Sequence, residues 1–343
     1  MSGLDGMQKI YIVLVIFFRF PLASTFVASM LLLAGMAHGA GETGRGGKAE
    51  GEKIRVVTTV APITNIVRNV AGAYAEVTGV VPDGTDSHTF EPVPADAKIL
   101  QAADIIIVNG LDLELPTVKL GEKVKKPGTP ILRLGNRALR REDWRYDFSF
   151  PREQGHPNPH LWPNIALAMR YAEITRDALA ALDPAHGEGY AKNTEAYLGK
   201  LRGLDQAIFE CIRTIPRQNR KLVTYHDSFA YFAPRYGMKV VAAIQPSDFS
   251  EPGPQDVARI IRQIRKEKIP AIFGSEVFPS KVMAQIARET GVRFIDQLSD
   301  DELPAAPNNS FIGMMVNNMA IMTDALGGNG GCVANVDTSN IAP

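Results

Sequence analysis

The stretch that decides the fold runs from Tyr190 to Ile215 and reads YAKNTEAYLGKLRGLDQAIFECIRTI. No proline occurs inside it, and Pro184 and Pro216 lie on either side. The residues of one predicted face recur at steps of four and three, the period of an α-helix; they are Tyr190, Thr194, Tyr197, Leu201, Leu204, Ile208, Cys211 and Ile215. The pattern predicts one amphipathic helix about 40 Å long, since each residue adds about 1.5 Å. We expect a spine helix over residues 186–216 that joins two lobes; the alternative is a long surface helix of one domain.

The sequence on either side of the spine follows the same plan. Apolar segments with strand spacing alternate with helix-like segments from Ile54 to Gly110, and again from Lys221 to Glu276. Corresponding loops carry EPVPAD at 91–96 and EPGPQD at 251–256, which agree as E-P-x-P-x-D. Each motif should begin a helix, because proline suits the first turn and aspartate an N-terminal position. We therefore predict an α/β fold of two related lobes with parallel sheets, whose ligand lies beyond the carboxyl ends of the strands.

The composition is that of an ordinary globular protein and argues against a nucleic-acid partner. The chain has 343 residues, of which 45% are hydrophobic and 22% charged, so it is long enough for two domains with their own cores. Lys+Arg and Asp+Glu are both 37, and no global field favours nucleic acid as a partner.

The two ends of the chain are predicted to lie outside the lobes. Residues 1–40 resemble a secretory signal peptide, with an uncleaved membrane anchor as the alternative, and residues 41–53 form a glycine-rich flexible leader. We place an N-terminal lobe at 54–185, a C-terminal lobe at 217–328 and a tail at 329–343. Because the only cysteines are Cys211 and Cys332, lipid attachment to a cysteine near the end of the predicted signal peptide is excluded. The two cysteines either form a disulfide that ties the tail to the spine, or Cys211 is a buried free thiol.

Four side chains in the predicted cleft loops point to a metal site. They are His88, His160, His226 and Asp296, two on each side of the spine. Imidazole nitrogen and carboxylate oxygen suit zinc, and four such ligands complete a tetrahedron. The alternative is that these loop histidines only form hydrogen bonds.

From Ile54 to Leu326 the sequence resembles the substrate-binding proteins of bacterial ABC importers for zinc and manganese, the cluster A-I family. The resemblance is carried by SHTFEPVPAD, NPHLWPN, VTYHDSFAYFAPRYG, SEPGPQD, FGSE and FIDQLSD. It implies two α/β lobes bridged by one long helix, with His88, His160, His226 and Asp296 as metal ligands. It also implies a monomer in the periplasm whose partners are an ABC permease in the inner membrane and, as a further candidate, a metallochaperone.

The resemblance also bears on the identity of the metal. Manganese-binding members tend to have glutamate where this chain has His226, so we expect Zn²⁺, with Mn²⁺ or iron as the alternative cargo. Many zinc-binding members carry a histidine-rich loop before the second ligand, whereas this chain has only His156 there. Glu276 is a candidate acceptor for a hydrogen bond from a ligand histidine, which would orient its ring.

The motifs do not favour an enzyme. A secreted zinc hydrolase needs an open coordination position for water, which four protein ligands would close, and the chain contains neither H-E-x-x-H nor G-x-S-x-G. A metal-dependent adhesin or a metal buffer on the same scaffold remains an alternative to a transport component.

Overall fold

A computed structural model describes residues 52–275 and 281–341. The predicted signal peptide, most of the leader and Glu276 lie outside the described residues. Within the part of the chain that is described, no helix is both long and apolar enough to cross a bilayer.

The N-terminal lobe is built on a four-stranded parallel sheet with the order β2-β1-β3-β4. The strands are β1 (Ile54–Thr58), β2 (Ala75–Gly79), β3 (Ile105–Val108) and β4 (Ile131–Arg133). The helices that follow them are α1 (Ala61–Ala71), α2 (Pro94–Ala102), α3 (Leu115–Val124) and α4 (Leu134–Ala138), and the longer α5 (Ile165–Leu182) completes the lobe. All four residues of β3 are buried, as expected for a strand covered by helices on both faces.

The C-terminal lobe repeats this arrangement with the order β6-β5-β7-β8, again all parallel. Its strands are β5 (Lys221–Thr224), β6 (Lys239–Ala243), β7 (Ala271–Ser275) and β8 (Arg293–Leu298). Its helices are α7 (Phe232–Arg235), α8 (Pro254–Glu267), α9 (Lys281–Thr290) and α10 (Phe311–Ala325). Because both sheets share one strand order, the predicted pair of similar α/β lobes is confirmed.

The spine helix is α6, which spans the 28 residues Gly187–Thr214. A short 3₁₀ turn at Pro184–His186 precedes it, and Pro216 follows its last residues. Its buried side chains include every predicted face position within the helix, and Ile215 is buried just beyond it. The predicted amphipathic helix is therefore confirmed.

One large core runs along the buried side of the spine. It contains side chains of α1, α5, α6 and α10, so it belongs to both lobes, while two smaller cores lie under α2 and α3 and under α8 and α9. Sequence reasoning placed no helix between Gly110 and the spine or after Glu276, and it therefore missed α3, α4, α5, α9 and α10. In α10 most residues are buried, and it therefore lacks the polar stripe by which a surface helix is recognised.

The two E-P-x-P-x-D motifs each begin a helix, as predicted, with Pro94 the first residue of α2 and Pro254 the first of α8. In the first motif the carboxylate of Asp96 accepts a hydrogen bond of 2.8 Å from the backbone N–H of Val93. This contact satisfies one of the amides at the start of α2.

The C-terminal tail is fastened to the spine. Cys211 and Cys332 form a disulfide with a Cα–Cα distance of 5.4 Å, which decides between the two states left open by the sequence. Further along the tail, the backbone N–H of Ile341 donates to Asn69 of α1 over 2.7 Å.

Candidate metal centre

Three imidazoles converge where the two lobes meet. The Nε2 atom of His88 lies 3.1 Å from Nε2 of His160 and 3.2 Å from Nε2 of His226. Two nitrogen ligands on one tetrahedral zinc ion are about 3.3 Å apart, because each Zn–N bond is about 2.0–2.1 Å. The donor atoms therefore have the spacing of a shared coordination sphere, and these three residues form the candidate metal-ligating group among the described residues.

The ligand candidates reach this point from different elements. His88 lies in the loop after β2, and His226 comes two residues after the end of β5. His160 departs from the expectation of a strand end, since it lies in the segment just before α5, well after β4. His160 and His226 are buried, with 0% and 2% exposure, whereas His88 is partly exposed. The site is therefore open to solvent on the side of His88.

A hydrogen bond and an ion pair hold the orientation of two rings. Asn158 Oδ1 lies 2.9 Å from Nδ1 of His160, and Asp300 Oδ2 lies 2.7 Å from Nδ1 of His226. An acceptor at Nδ1 holds the proton on that nitrogen and leaves Nε2 as the metal-binding atom.

The charges of the site are unequal. Burial and the neighbouring charge of His226 hold the pKa of His88 and of His160 well below the usual histidine value. Burial lowers the pKa of His226 too, but Asp300 outweighs it and raises this pKa to about 9. Burial and the charge of Asp300 raise the pKa of Asp301 to about 7.

Asp296, the predicted fourth ligand, is not brought into this cluster. It is exposed and lies within β8, which continues for two residues beyond it, whereas the histidines lie in loops. Sequence reasoning ended the strand too early. The structure instead places Asp300, which follows the end of β8, against His226. Nothing in the sequence alone favours Asp300 over Asp296, because the end of the strand that lies between them is known only from the structure.

Aromatic rings surround the histidines. The ring of His88 stacks on Phe249 with centroids 4.5 Å apart and contacts Phe150 at 5.6 Å. Trp162 packs edge-on against His160 at 5.1 Å, and its Nε1–H donates to the backbone oxygen of Asp300 over 3.0 Å. These rings restrict water around the imidazoles and connect the His160 segment to the Asp300 loop.

A buried carboxyl group is linked to the His160 segment through hydrogen bonds. Glu114, 1% exposed, accepts hydrogen bonds from Thr59 Oγ1 over 2.6 Å and from the backbone N–H of Asn109 over 2.7 Å. Burial raises its pKa. The side chain of Asn109 donates in turn to the carbonyl of Pro159 over 2.9 Å, so the residue before His160 is held by the N-terminal lobe.

His156 lies apart from the cluster. Its Nδ1 is 2.7 Å from Asp112 Oδ2, and both side chains are about half exposed. It is paired at the surface and is not a member of the ligand group.

The fold has two α/β lobes, each with a parallel sheet, and one long helix between them, and three imidazoles converge at the junction of the lobes. This is the architecture of a metal-binding solute-binding protein. The family model described as "ZnuA: Zinc-uptake complex component A periplasmic" matches residues 56–325. The chain belongs to this family.

Individual relatives agree with this assignment. The iron-binding protein YfeA of Yersinia pestis is 34% identical over 275 residues, which cover 78% of this chain and 86% of that protein. The manganese-binding lipoprotein MntA of Halalkalibacterium halodurans is 28% identical, with coverage of 87% and 96%. Among solved structures, the periplasmic zinc-binding protein TroA of Treponema pallidum matches with a TM-score of 0.73 at 25% identity, covering 80% of this chain and 99% of that one.

Proposed function

We propose that the protein binds one divalent transition-metal ion in the periplasm, with zinc as the preferred cargo, and delivers it to an ABC permease in the inner membrane. The observation that carries the proposal is the convergence of His88, His160 and His226 from both lobes, with Nε2 separations of 3.1 and 3.2 Å. An ion bound there contacts both lobes at once, so binding is coupled to their relative position.

The donor set supports zinc over manganese. Three neutral imidazoles suit zinc, whereas manganese favours a larger share of oxygen ligands. The names of two relatives support manganese or iron as the alternative cargo, since YfeA is described as iron-binding and MntA as manganese-binding. A carboxylate is needed to complete four protein ligands, and the 296–301 segment supplies the candidates Asp296, Asp300 and Asp301. Of these, Asp300 contacts Nδ1 of His226, the ring nitrogen that faces away from the other histidines, so we assign it the orientation of this ligand rather than a coordination position.

Export and partnership follow from the same assignment. The family description is of a periplasmic component of an uptake complex, which supports secretion by the N-terminal segment and a membrane permease as partner. We propose that the protein acts as a monomeric carrier without catalytic activity, and that a metallochaperone is a further partner.

Elemental analysis tests the proposal most directly. The exported protein is stripped with chelator, dialysed against equimolar zinc, manganese and ferrous iron under anaerobic conditions, and analysed for bound metal. We expect one zinc per chain and little manganese or iron. A chain that retains no stoichiometric metal contradicts the proposal. If the chain retains manganese or iron in preference to zinc, that metal is the cargo instead.

A matched pair of variants locates the site. His226→Ala should abolish stoichiometric retention, because it removes one of three converging donors. His156→Ala is the control, since that histidine is exposed and paired with Asp112 outside the cluster. Equal metal content in the two variants would remove the histidine cluster from the proposal.

A further inference from the structure

Asn158 is a fully buried amide between two of the candidate ligands. Its Oδ1 accepts from the backbone N–H of His160 over 3.0 Å and faces Nδ1 of the same residue at 2.9 Å. Its Nδ2 donates to the backbone oxygen of Asp227 over 2.6 Å and to Asp147 Oδ1 over 3.2 Å. Both ends of the amide are therefore engaged.

The chemistry of these partners fixes which end is which. A backbone N–H only donates, so the atom facing His160 must be the amide oxygen, and a backbone carbonyl only accepts, so the atom facing Asp227 must be the amide nitrogen. The oxygen in turn requires a proton on Nδ1 of His160. Its Nε2 is then left with the lone pair that faces His88.

The other end of the amide crosses between the lobes. Asn158 belongs to the N-terminal lobe, and Asp227, directly after His226, belongs to the C-terminal lobe. Shifts of the His226 backbone are thus passed to the side chain that orients His160. This coupling is local, because a single residue contacts both ligand segments.

We propose that Asn158 is a positioning residue that sets the tautomer of His160 and holds His160 and His226 at their ligand spacing, and that it thereby slows release of the metal. The part of this inference that concerns metal release rests on the proposed function. The part that concerns the His160 tautomer rests on the hydrogen bonds alone.

The test compares Asn158→Leu, which has a similar volume without polar atoms, with the unaltered protein. Side-chain ¹⁵N NMR of the metal-free protein should show His160 as the Nδ1–H tautomer in the unaltered chain and as a mixture in Asn158→Leu. Removing a group that orients a metal ligand usually lowers metal affinity about 10- to 100-fold, and we expect this loss to appear as zinc release that is faster by the same factor, followed by stopped flow with an excess of chelator.

Ser149→Ala is the matched control. It removes a buried 2.6 Å hydrogen bond from Ser149 Oγ to the Gln245 backbone oxygen, also between the lobes but without contact to a histidine, and should leave both readouts unchanged. Should Asn158→Leu not fold, Asn158→Asp keeps an oxygen acceptor for Nδ1 and should retain the tautomer.

Three results would overturn the inference: a pure Nδ1–H tautomer in Asn158→Leu, zinc release at the original rate in that variant, or the same acceleration in Ser149→Ala. If the unaltered protein binds no zinc, the proposed function fails, whereas the tautomer, measured without metal, still decides the role of Asn158 toward His160.

Discussion

The imidazole of His226 carries a proton at neutral pH in the metal-free protein, because Asp300 raises its pKa to about 9. The pKa values of His88 and His160 lie well below the ordinary value, so these two rings are neutral under the same conditions. A metal ion requires all three nitrogens unprotonated. Proton competition therefore begins in a more alkaline range than the pH of about 6.5 that unperturbed histidines would give.

Metal binding should accordingly release about one proton per ion near pH 7.5. As pH falls below the His226 pKa of about 9, zinc affinity should fall by about tenfold per pH unit, until the other two imidazoles also take up protons. Isothermal titration calorimetry in buffers of different ionisation enthalpy measures the proton count. Affinity that stays constant between about pH 7 and 8.5 would contradict a raised pKa at His226.

The contributions of Asp300 and Asp296 can be separated by one pair of substitutions. Asp300→Asn removes the charge beside His226 and should weaken zinc binding about 10- to 100-fold, as measured by competition with a fluorescent chelator at a pH above about 9, where proton competition at His226 no longer contributes. Asp296→Asn alters an exposed side chain and should leave affinity unchanged. The reverse result would restore Asp296 as the ligand.

Residue type and motif placement were enough to predict which histidines meet. Each of them lies in a polar loop between regular elements, where a hydrogen-bonding side chain is seldom needed for packing. The carboxylate was not predictable, because Asp296 and Asp300 differ only in whether β8 has ended before them. The exact end of a strand depends on its pairing with β7, which sequence periodicity does not report.

At the level of helices, the two copies of the E-P-x-P-x-D motif allow the contribution of a helix-start aspartate to be compared within one protein. Asp96→Ala should lower the free energy of unfolding by about 1 kcal/mol, because it removes the acceptor for the Val93 N–H at the start of α2. Asp256→Ala should cost less, since Asp256 pairs with Arg259 at the surface, where ion pairs contribute little. Urea denaturation of the metal-free variants measures both, and equal losses would show that the cap is not the cause.

The spine was predictable because one of its faces is buried and the other is in water, so its sequence records the helical period. The same signal fails for α10, which is buried on most sides. It also fails for α7, because the single turn Phe232–Arg235 is too short to record the helical period. Solvent contrast, rather than helix length alone, decides which elements can be predicted from a single sequence.

Across the whole molecule, the tail joins parts that are distant in sequence. Asn340 accepts hydrogen bonds of 3.0 Å from both Asn65 and Asn69 of α1 and donates to the backbone oxygen of Asn309 before α10. The tail thus contacts the N-terminal lobe and the C-terminal lobe as well as the spine. Because Asn340 is bonded to α1 of the N-terminal lobe and to the segment before α10 of the C-terminal lobe, the tail should oppose separation of the lobes.

The disulfide that anchors this tail should contribute to stability chiefly by restricting the unfolded chain. Cys211 and Cys332 are 121 residues apart, and a closed loop of that size is worth up to about 5 kcal/mol in the chain-entropy account. We expect the Cys211→Ala/Cys332→Ala double variant to lose about 2–5 kcal/mol of unfolding free energy in urea, measured without metal. A reductant should lower the stability of the unaltered protein toward that of the double variant and leave the double variant unchanged. Equal stability of the two proteins under oxidising conditions would show that the bond constrains nothing beyond what the tail's hydrogen bonds already hold.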